Sequence, residues 1–279
     1  MKQMLLVALT VGSFSLQAQI KMPAPSPTQS ITQDFGLGKI ELVYSRPSLK
    51  GRTVFKDNSE LAPLGKVWRT GANAATKIKF TDEVTFGGKN LDSGTYALYT
   101  IPGKTTWTII LNKDASKWGT EYVENDDVFR VTVPSEKSKE ATETFTMQIA
   151  NIKPESCELE LIWGNTTVKV PITTNIKERI SNSIKKALSA DNVSPNVYYA
   201  AANFYFEWDK NLNEALSNAT KAANANAKAY WIFLLKAKIE KEQGNKVDAK
   251  ADAEKVIALA TEQKNQDYIR MAKELIAKL

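Results

Sequence analysis

Between residues 39 and 172 apolar and polar positions alternate in short runs, whereas beyond residue 176 the apolar positions recur at helical spacing. Alternation with a period of two sends successive side chains to opposite faces of a strand. It predicts strands at about 39–45, 76–80, 84–86, 95–101, 107–111, 128–133, 144–150, 157–163 and 167–172. Trp107, Ile109 and Leu111 share one face, as do Phe145, Met147 and Ile149. Gly87-Gly88, Asp92-Ser93-Gly94 and Pro102-Gly103 supply turns between these runs. Many short strands with close turns and no interleaved helices predict an all-β domain over residues 30–174, an antiparallel sandwich or barrel-like fold.

The second part reads differently. Twelve of the thirteen glycines precede residue 165 and nine of the ten prolines precede residue 172, so turn-formers belong almost wholly to the first part. Ala, Lys, Glu and Leu dominate afterwards, as helices prefer. Ala215, Ala219 and Lys221 recur as Ala249, Ala253 and Lys255, and Asn211 recurs as Asn245, each at an offset of 34 residues, the period of tetratricopeptide repeats. The pattern predicts helix pairs at 196–208 with 212–224 and 230–243 with 247–260, flanked by capping helices at about 176–189 and 265–278. Residues 175–279 are therefore expected to form a tetratricopeptide-like helical domain that docks a protein partner. Its alanines are expected at helix crossings and its lysines on solvated faces.

At the N-terminus a basic start precedes the apolar run Leu5–Leu16, with the small residue Ala18 behind it, the pattern of a signal peptide over residues 1–18. Residues 19–29, with Pro23, Pro25 and Pro27, are expected as an extended leader. Export to the periplasm or beyond follows. No cysteine stands at the presumed cleavage point to carry a lipid, and no later stretch is apolar enough to span a bilayer.

Composition narrows the chemistry. A chain of 279 residues with 43% hydrophobic positions suits one or two packed domains. The 37 basic and 31 acidic residues make a mixed surface, without the arginine-and-aromatic tract that would point to nucleic acid. Cys157 is the one cysteine, on the apolar face Cys157, Leu159, Leu161, Trp163 of an expected strand, so no intramolecular disulfide forms. The absence of histidine removes the Ser-His-Asp triad and the commonest zinc ligand. Gly38-Lys39, Gly65-Lys66, Gly88-Lys89 and Gly103-Lys104 all lack the frame of a phosphate loop. Ser183 and Lys186 have nucleophile-and-base spacing on a polar helix without a companion motif. Asn112, Asp114 and Ser116 open like a calcium loop, but Lys117 stands where glycine is required. No catalytic residue, metal or cofactor is assigned.

One region carries more specification than a turn needs. Between residues 39 and 69 seven basic side chains face three acidic ones. Arg46, Lys50, Arg52 and Arg69, with Trp68 as an apolar platform and Thr70 and Asn73 as hydrogen-bonding groups, compose a candidate site for a small polar, anionic or carbohydrate ligand. The competing reading is structural: the arginines tie down loop carbonyls and Trp68 belongs to the core.

The strings Tyr44-Ser-Arg-Pro47 with Lys50-Gly-Arg52, Gly65-Lys-Val-Trp-Arg-Thr-Gly-Ala-Asn73 with Ala75-Thr76, and Gly94-Thr-Tyr96 with Thr100-Ile-Pro-Gly103 and Trp107 resemble a family of exported bacterial proteins, the domain of unknown function DUF2911. The likeness covers residues 27–173, and the helical tail resembles an appendage found on some members. The resemblance implies a fold boundary and brings no reaction with it. Three functions remain in view: a non-catalytic envelope protein with a ligand site and a protein-docking array, a purely structural envelope-assembly protein, and a glycan hydrolase using the acidic cluster Glu121, Glu124, Asp126 and Asp127. The last needs two carboxyl groups facing each other about 5–10 Å apart.

Overall fold

The computed structural model describes residues 22–116 and 118–279. The expected signal peptide lies outside them. The chain divides into two compact units, the first ending at Thr174 and the second spanning Asn175–Leu279.

Nine strands form the first unit: β1 (Thr28–Phe35), β2 (Gly38–Ser45), β3 (Thr76–Phe80), β4 (Val84–Phe86), β5 (Lys89–Leu91), β6 (Gly94–Ile101), β7 (Thr106–Asn112), β8 (Asp127–Lys153) and β9 (Ser156–Thr173). They make one antiparallel sheet in the order β1-β2-β3-β6-β7-β8-β9-β4-β5, which is open, with β1 and β5 at its edges. The all-β expectation stands, and the sheet does not close as a barrel.

Two strand pairs expected as separate runs are single long strands. β8 pairs with β7 through residues 127–134 and with β9 through residues 135–153. Pro134, which has no N–H to give, stands where the partner changes. Register breaks after Lys137, Thr142 and Ala150 let this long strand bend. β1, expected as leader at its start, is a strand from Thr28 in full register with β2, Thr28 opposite Ser45 and Phe35 opposite Gly38. Its sequence TQSITQDF carries little apolar alternation because an edge strand is held by backbone pairing.

The buried faces meet in one core. Ile40, Leu42 and Tyr44 of β2, Ile78 and Phe80 of β3, Trp107, Ile109 and Leu111 of β7, and Cys157, Leu159, Leu161 and Trp163 of β9 are all buried. Burial pushes the Cys157 thiol up to about 12.

The second unit holds six helices: α1 (Lys177–Leu188), α2 (Pro195–Glu207), α3 (Leu212–Ala225), α4 (Tyr230–Glu242), α5 (Lys246–Glu262) and α6 (Gln266–Ile276). Ala215, Ala219, Ala249 and Ala253 are fully buried, as small residues at close helix approaches must be. Asn211 caps α3, accepting the Glu214 N–H at 3.2 Å, and Asn265 caps α6 through Tyr268. The recurring lysines are not purely solvated: Lys255 Nζ lies 3.9 Å from the centre of the Phe233 ring and Lys221 Nζ lies 5.6 Å from that of Tyr198. Among the described residues, no helix is long and apolar enough to cross a membrane.

Candidate functional site

The connection between β2 and β3 runs from residue 46 to residue 75 without a strand of its own. Structureless connections longer than about 12–15 residues are uncommon in compact domains and usually serve a function. This one is tied down along its length. Ser48 bridges Thr144 of β8, with the two hydroxyls 2.9 Å apart, and Leu49 N–H donates to Glu143 O. Trp68 exchanges both backbone hydrogen bonds with Thr100 of β6, at 2.7 and 2.9 Å. The Thr76 hydroxyl donates to Thr70 O at 2.6 Å.

Lys50, Arg52, Glu60, Arg69 and Asn73 from this connection line a cleft of about 340 Å³, completed by Ser26. Trp68 and Trp163 reach it from the core side. Lys50, Thr70 and Asn73 have φ of 48°, 55° and 60°, a left-handed backbone that costs a non-glycine residue on the order of 1 kcal/mol or more. Four of the seven non-glycine residues with positive φ among those described lie between Lys50 and Asn73, the fourth being Phe55. Backbone strain concentrated in a tethered loop is typical of preformed sites.

The predicted site residues separate into three groups. Lys50, Arg52, Arg69 and Asn73 come together in the cleft. Arg46 does not join them: its Nε donates to Phe145 O at 3.0 Å and its Nη2 to Thr146 Oγ1 at 2.7 Å, strapping the loop to β8. Thr70 is fully buried, its hydroxyl 3.1 Å from that of Thr100. Trp68 is no open platform. It is 5% exposed, stacked on Trp163 with ring centres 5.6 Å apart and set edge-on to Phe55, Trp107 and Phe145, and its indole N–H donates to Gly71 O.

The cleft cations keep donors available. Arg52 gives Nε to Leu49 O and Nη2 to Ser48 O, both at 3.0 Å, and Arg69 gives Nη1 to Asn73 O at 2.9 Å. A guanidinium has five N–H donors, so each retains several. None of Lys50, Arg52 and Arg69 has a carboxylate ion-pair partner among the described residues. Glu60 is the one acidic group in the lining, and Glu143 takes the Lys50 backbone N–H at 2.7 Å. Sequence reasoning missed Glu60, Ser26 and Trp163. The first two carry no motif, and Trp163 reads only as core.

The other candidate chemistry is engaged elsewhere. Asp127 accepts from Asn112, Tyr122 and Arg130, Glu124 pairs with Arg130 at 2.9 Å, Asp126 with Lys113 at 3.4 Å, and Glu121 accepts the Trp118 N–H. Burial and the Asp127 hydrogen bond push the Tyr122 hydroxyl up to about 12. These carboxylates fasten the loop between β7 and β8, and none lines the cleft. Ser183 donates to Arg179 O within α1. Asp114 accepts from the Ser116 N–H and hydroxyl, a local turn, and no group of three or more Asp, Glu, Cys or His able to hold a metal occurs among the described residues.

Fold and site together define a protein with an open antiparallel β-sheet unit, carrying a cationic loop-built cleft, followed by a six-helix unit. The model of the family described as "Protein of unknown function (DUF2911)" matches residues 26–172, and the chain belongs to that family. A comparison with curated proteins gives no match.

Proposed function

We propose that this is an exported, non-catalytic envelope protein whose β unit binds a small polar, anionic or glycan ligand in the cleft of the β2–β3 connection, while its helical unit docks a protein partner. The observation that carries the ligand reading is the convergence of Lys50, Arg52 and Arg69, all without ion-pair partners among the described residues, on one cleft built by a strained and tethered loop. Arginine forks suit a carboxylate or phosphate, and the Asn73 side-chain oxygen, its nitrogen being held by Ser45 Oγ at 3.2 Å, adds an acceptor for a neutral portion. The apolar run Leu5–Leu16 followed by Ala18 supports export. The 34-residue recurrence of Asn211, Ala215 and Ala219 supports tetratricopeptide-like packing, which presents an extended surface to a partner.

A thermal-shift screen of the protein against small anions, acidic and neutral glycans and divalent cations tests the ligand half, since a ligand of the native state must raise its apparent stability. The expected result is a shift with an anionic compound that is lost in Arg52→Ala/Arg69→Ala. A structural role is the second reading, favoured by the carbonyl bonds of Arg46, Arg52 and Arg69. A flat response to every compound, with the double variant less stable than the parent, selects it.

A further inference from the structure

We infer that the cleft's ligand is a small zwitterion, an α-amino acid or short peptide carrying one ammonium and one carboxylate, an inference that rests on the cleft reading above and assigns its chemical class. The cleft of about 340 Å³ holds charges of both signs that do not neutralise one another. Lys50, Arg52 and Arg69 line it together with Glu60, yet Glu60 forms no ion pair with any of them among the described residues. Each charged group has its own anchor. The Arg52 guanidinium is turned to Leu49 O and Ser48 O, and that of Arg69 to Asn73 O. Lys50 stands at a φ of 48° with its N–H given to Glu143 Oε1. Glu60 follows the buried Ser59, whose hydroxyl donates to Thr53 O at 2.9 Å and accepts the Leu61 and Ala62 N–H groups at 3.2 and 3.3 Å. Opposite charges in one small cleft attract, and these anchors keep them from closing on one another.

Cations and a carboxylate left unpaired side by side select a ligand that bears both signs. A simple anion satisfies the guanidinium forks but meets Glu60 as a like charge, and a polyphosphate does so more strongly. A simple amine suits Glu60 and is repelled by the three cations. A zwitterion meets both sets at once. Its carboxylate takes the forks of Arg52 and Arg69, which keep N–H groups beyond those given to the loop carbonyls. Its ammonium, with three donors and no acceptor, needs acceptors alone. Glu60 supplies one, and the Asn73 side-chain oxygen, without a partner among the described residues while its nitrogen is held by Ser45 Oγ, supplies another. The half-buried Leu61 and the exposed Pro25, both in the lining, offer apolar contact to the carbon skeleton between the two charges.

The test is calorimetric titration of the full chain with the L- and D-forms of alanine and leucine and with dipeptides of the same residues. Each is matched by its N-acetylated and its C-terminal amide derivative, and acetate, sulfate, an acidic oligosaccharide and a neutral one complete the panel. The variants are Glu60→Gln and Arg52→Ala, each checked by its melting temperature. The expected result is binding of a zwitterion that weakens by about tenfold or more on N-acetylation and on amidation alike. In Glu60→Gln the N-acetylated and free forms should bind equally, and in Arg52→Ala the amide and free forms should. Tighter binding of the single residues identifies a free amino acid and tighter binding of the dipeptides a peptide, and either upholds the inference. Acetate, sulfate, an oligosaccharide or an N-acetylated compound binding as tightly as the zwitterions, or a zwitterion affinity unchanged in Glu60→Gln, overturns it and leaves the anionic cleft standing. No binding by any compound, or binding untouched by both substitutions, with the variants folded, overturns both readings.

Discussion

The hydroxyl of Tyr44 on β2 receives the backbone N–H of Met147 on β8 at 2.7 Å and lies 3.1 Å from that residue's carbonyl oxygen, joining positions 103 apart in sequence. Gln29 Oε1, at 2.8 Å, shares the same proton. Burial raises the Tyr44 hydroxyl above its ordinary pKa, against the Met147 hydrogen bond and the Arg46 charge, which lower it. Tyr44→Phe removes the partner of a buried N–H while keeping the ring edge-on to Phe145. The expected loss is about 1–3 kcal/mol of unfolding free energy, read by urea denaturation with an unchanged m-value.

Gly119 tests how the cleft wall is supported. Its φ is not in the left-handed region, so Gly119→Ala introduces no backbone strain, only a methyl group against Arg69 Cδ and Asn73 O. The loop must yield. A destabilisation of about 1–3 kcal/mol is expected, together with weaker binding of any cleft ligand. Wild-type stability and affinity in this variant would show that the wall is compliant.

Within the helical unit, Lys236 Nζ bonds Glu240 Oε1 at 2.7 Å and Asp252 Oδ2 at 2.5 Å. Glu240 is 3% exposed, and its other oxygen has no partner among the described residues. Burial pushes its carboxyl up to about 6, with the Lys236 hydrogen bond opposing and the Asp252 charge assisting. The folded state thus favours the protonated acid. Its contribution is full below the unfolded value of 4.5 and is lost as pH rises through about 6. Helical circular dichroism on heating should show stability falling by about 1–2 kcal/mol across that window, and Glu240→Gln should flatten the dependence.

Cys157 provides a reporter of the β core. Desolvation, reinforced by the nearby Glu158 charge, holds the thiol protonated far above neutral pH, and the side chain is buried on β9. A thiolate-seeking disulfide reagent at pH 8 should leave the native protein unmodified and react with one equivalent once denaturant is added. Rapid labelling of the native chain would contradict this packing.

The lysine over Phe233 offers a smaller effect. Lys255→Ala should destabilise the helical unit by about 0.5–1 kcal/mol, more than Lys250→Ala, whose ammonium stands 3.9 Å from Glu254 on an exposed face.

The helices were legible almost to their ends, because each carries its own 3.6-residue pattern and its stop signals, as at Asn211 and Asn245. Strands were legible wherever two or more positions on one face are buried, which the three-residue β5, with Leu91 alone, does not offer. β1 was not, since its pairing with β2 uses backbone groups that leave no mark on side-chain choice. Nor was the continuity of β8 through the polar stretch Ser138–Ala141, where neither face meets the core. In the candidate site, the charge density between Arg46 and Arg69 marks the β2–β3 connection, and Lys50, Arg52, Arg69 and Asn73 line one cleft there. Which tryptophan faces solvent was beyond reach. Trp68 and Trp118 both lie outside regular strands, and only the pairing of the first with Thr100 turns it into the core while the second stays outside.

The tethers of the β2–β3 connection also set an order of events during folding. Tyr44, Arg46, Ser48 and Leu49 all find their partners between Glu143 and Met147, about a hundred residues later. Contacts so distant in sequence form late, whereas the helical unit is built from neighbours. A chain emerging from the ribosome therefore holds the first part of this loop, Arg46 to Leu49, unmoored until β8 has been made, although Trp68 is already tied to Thr100.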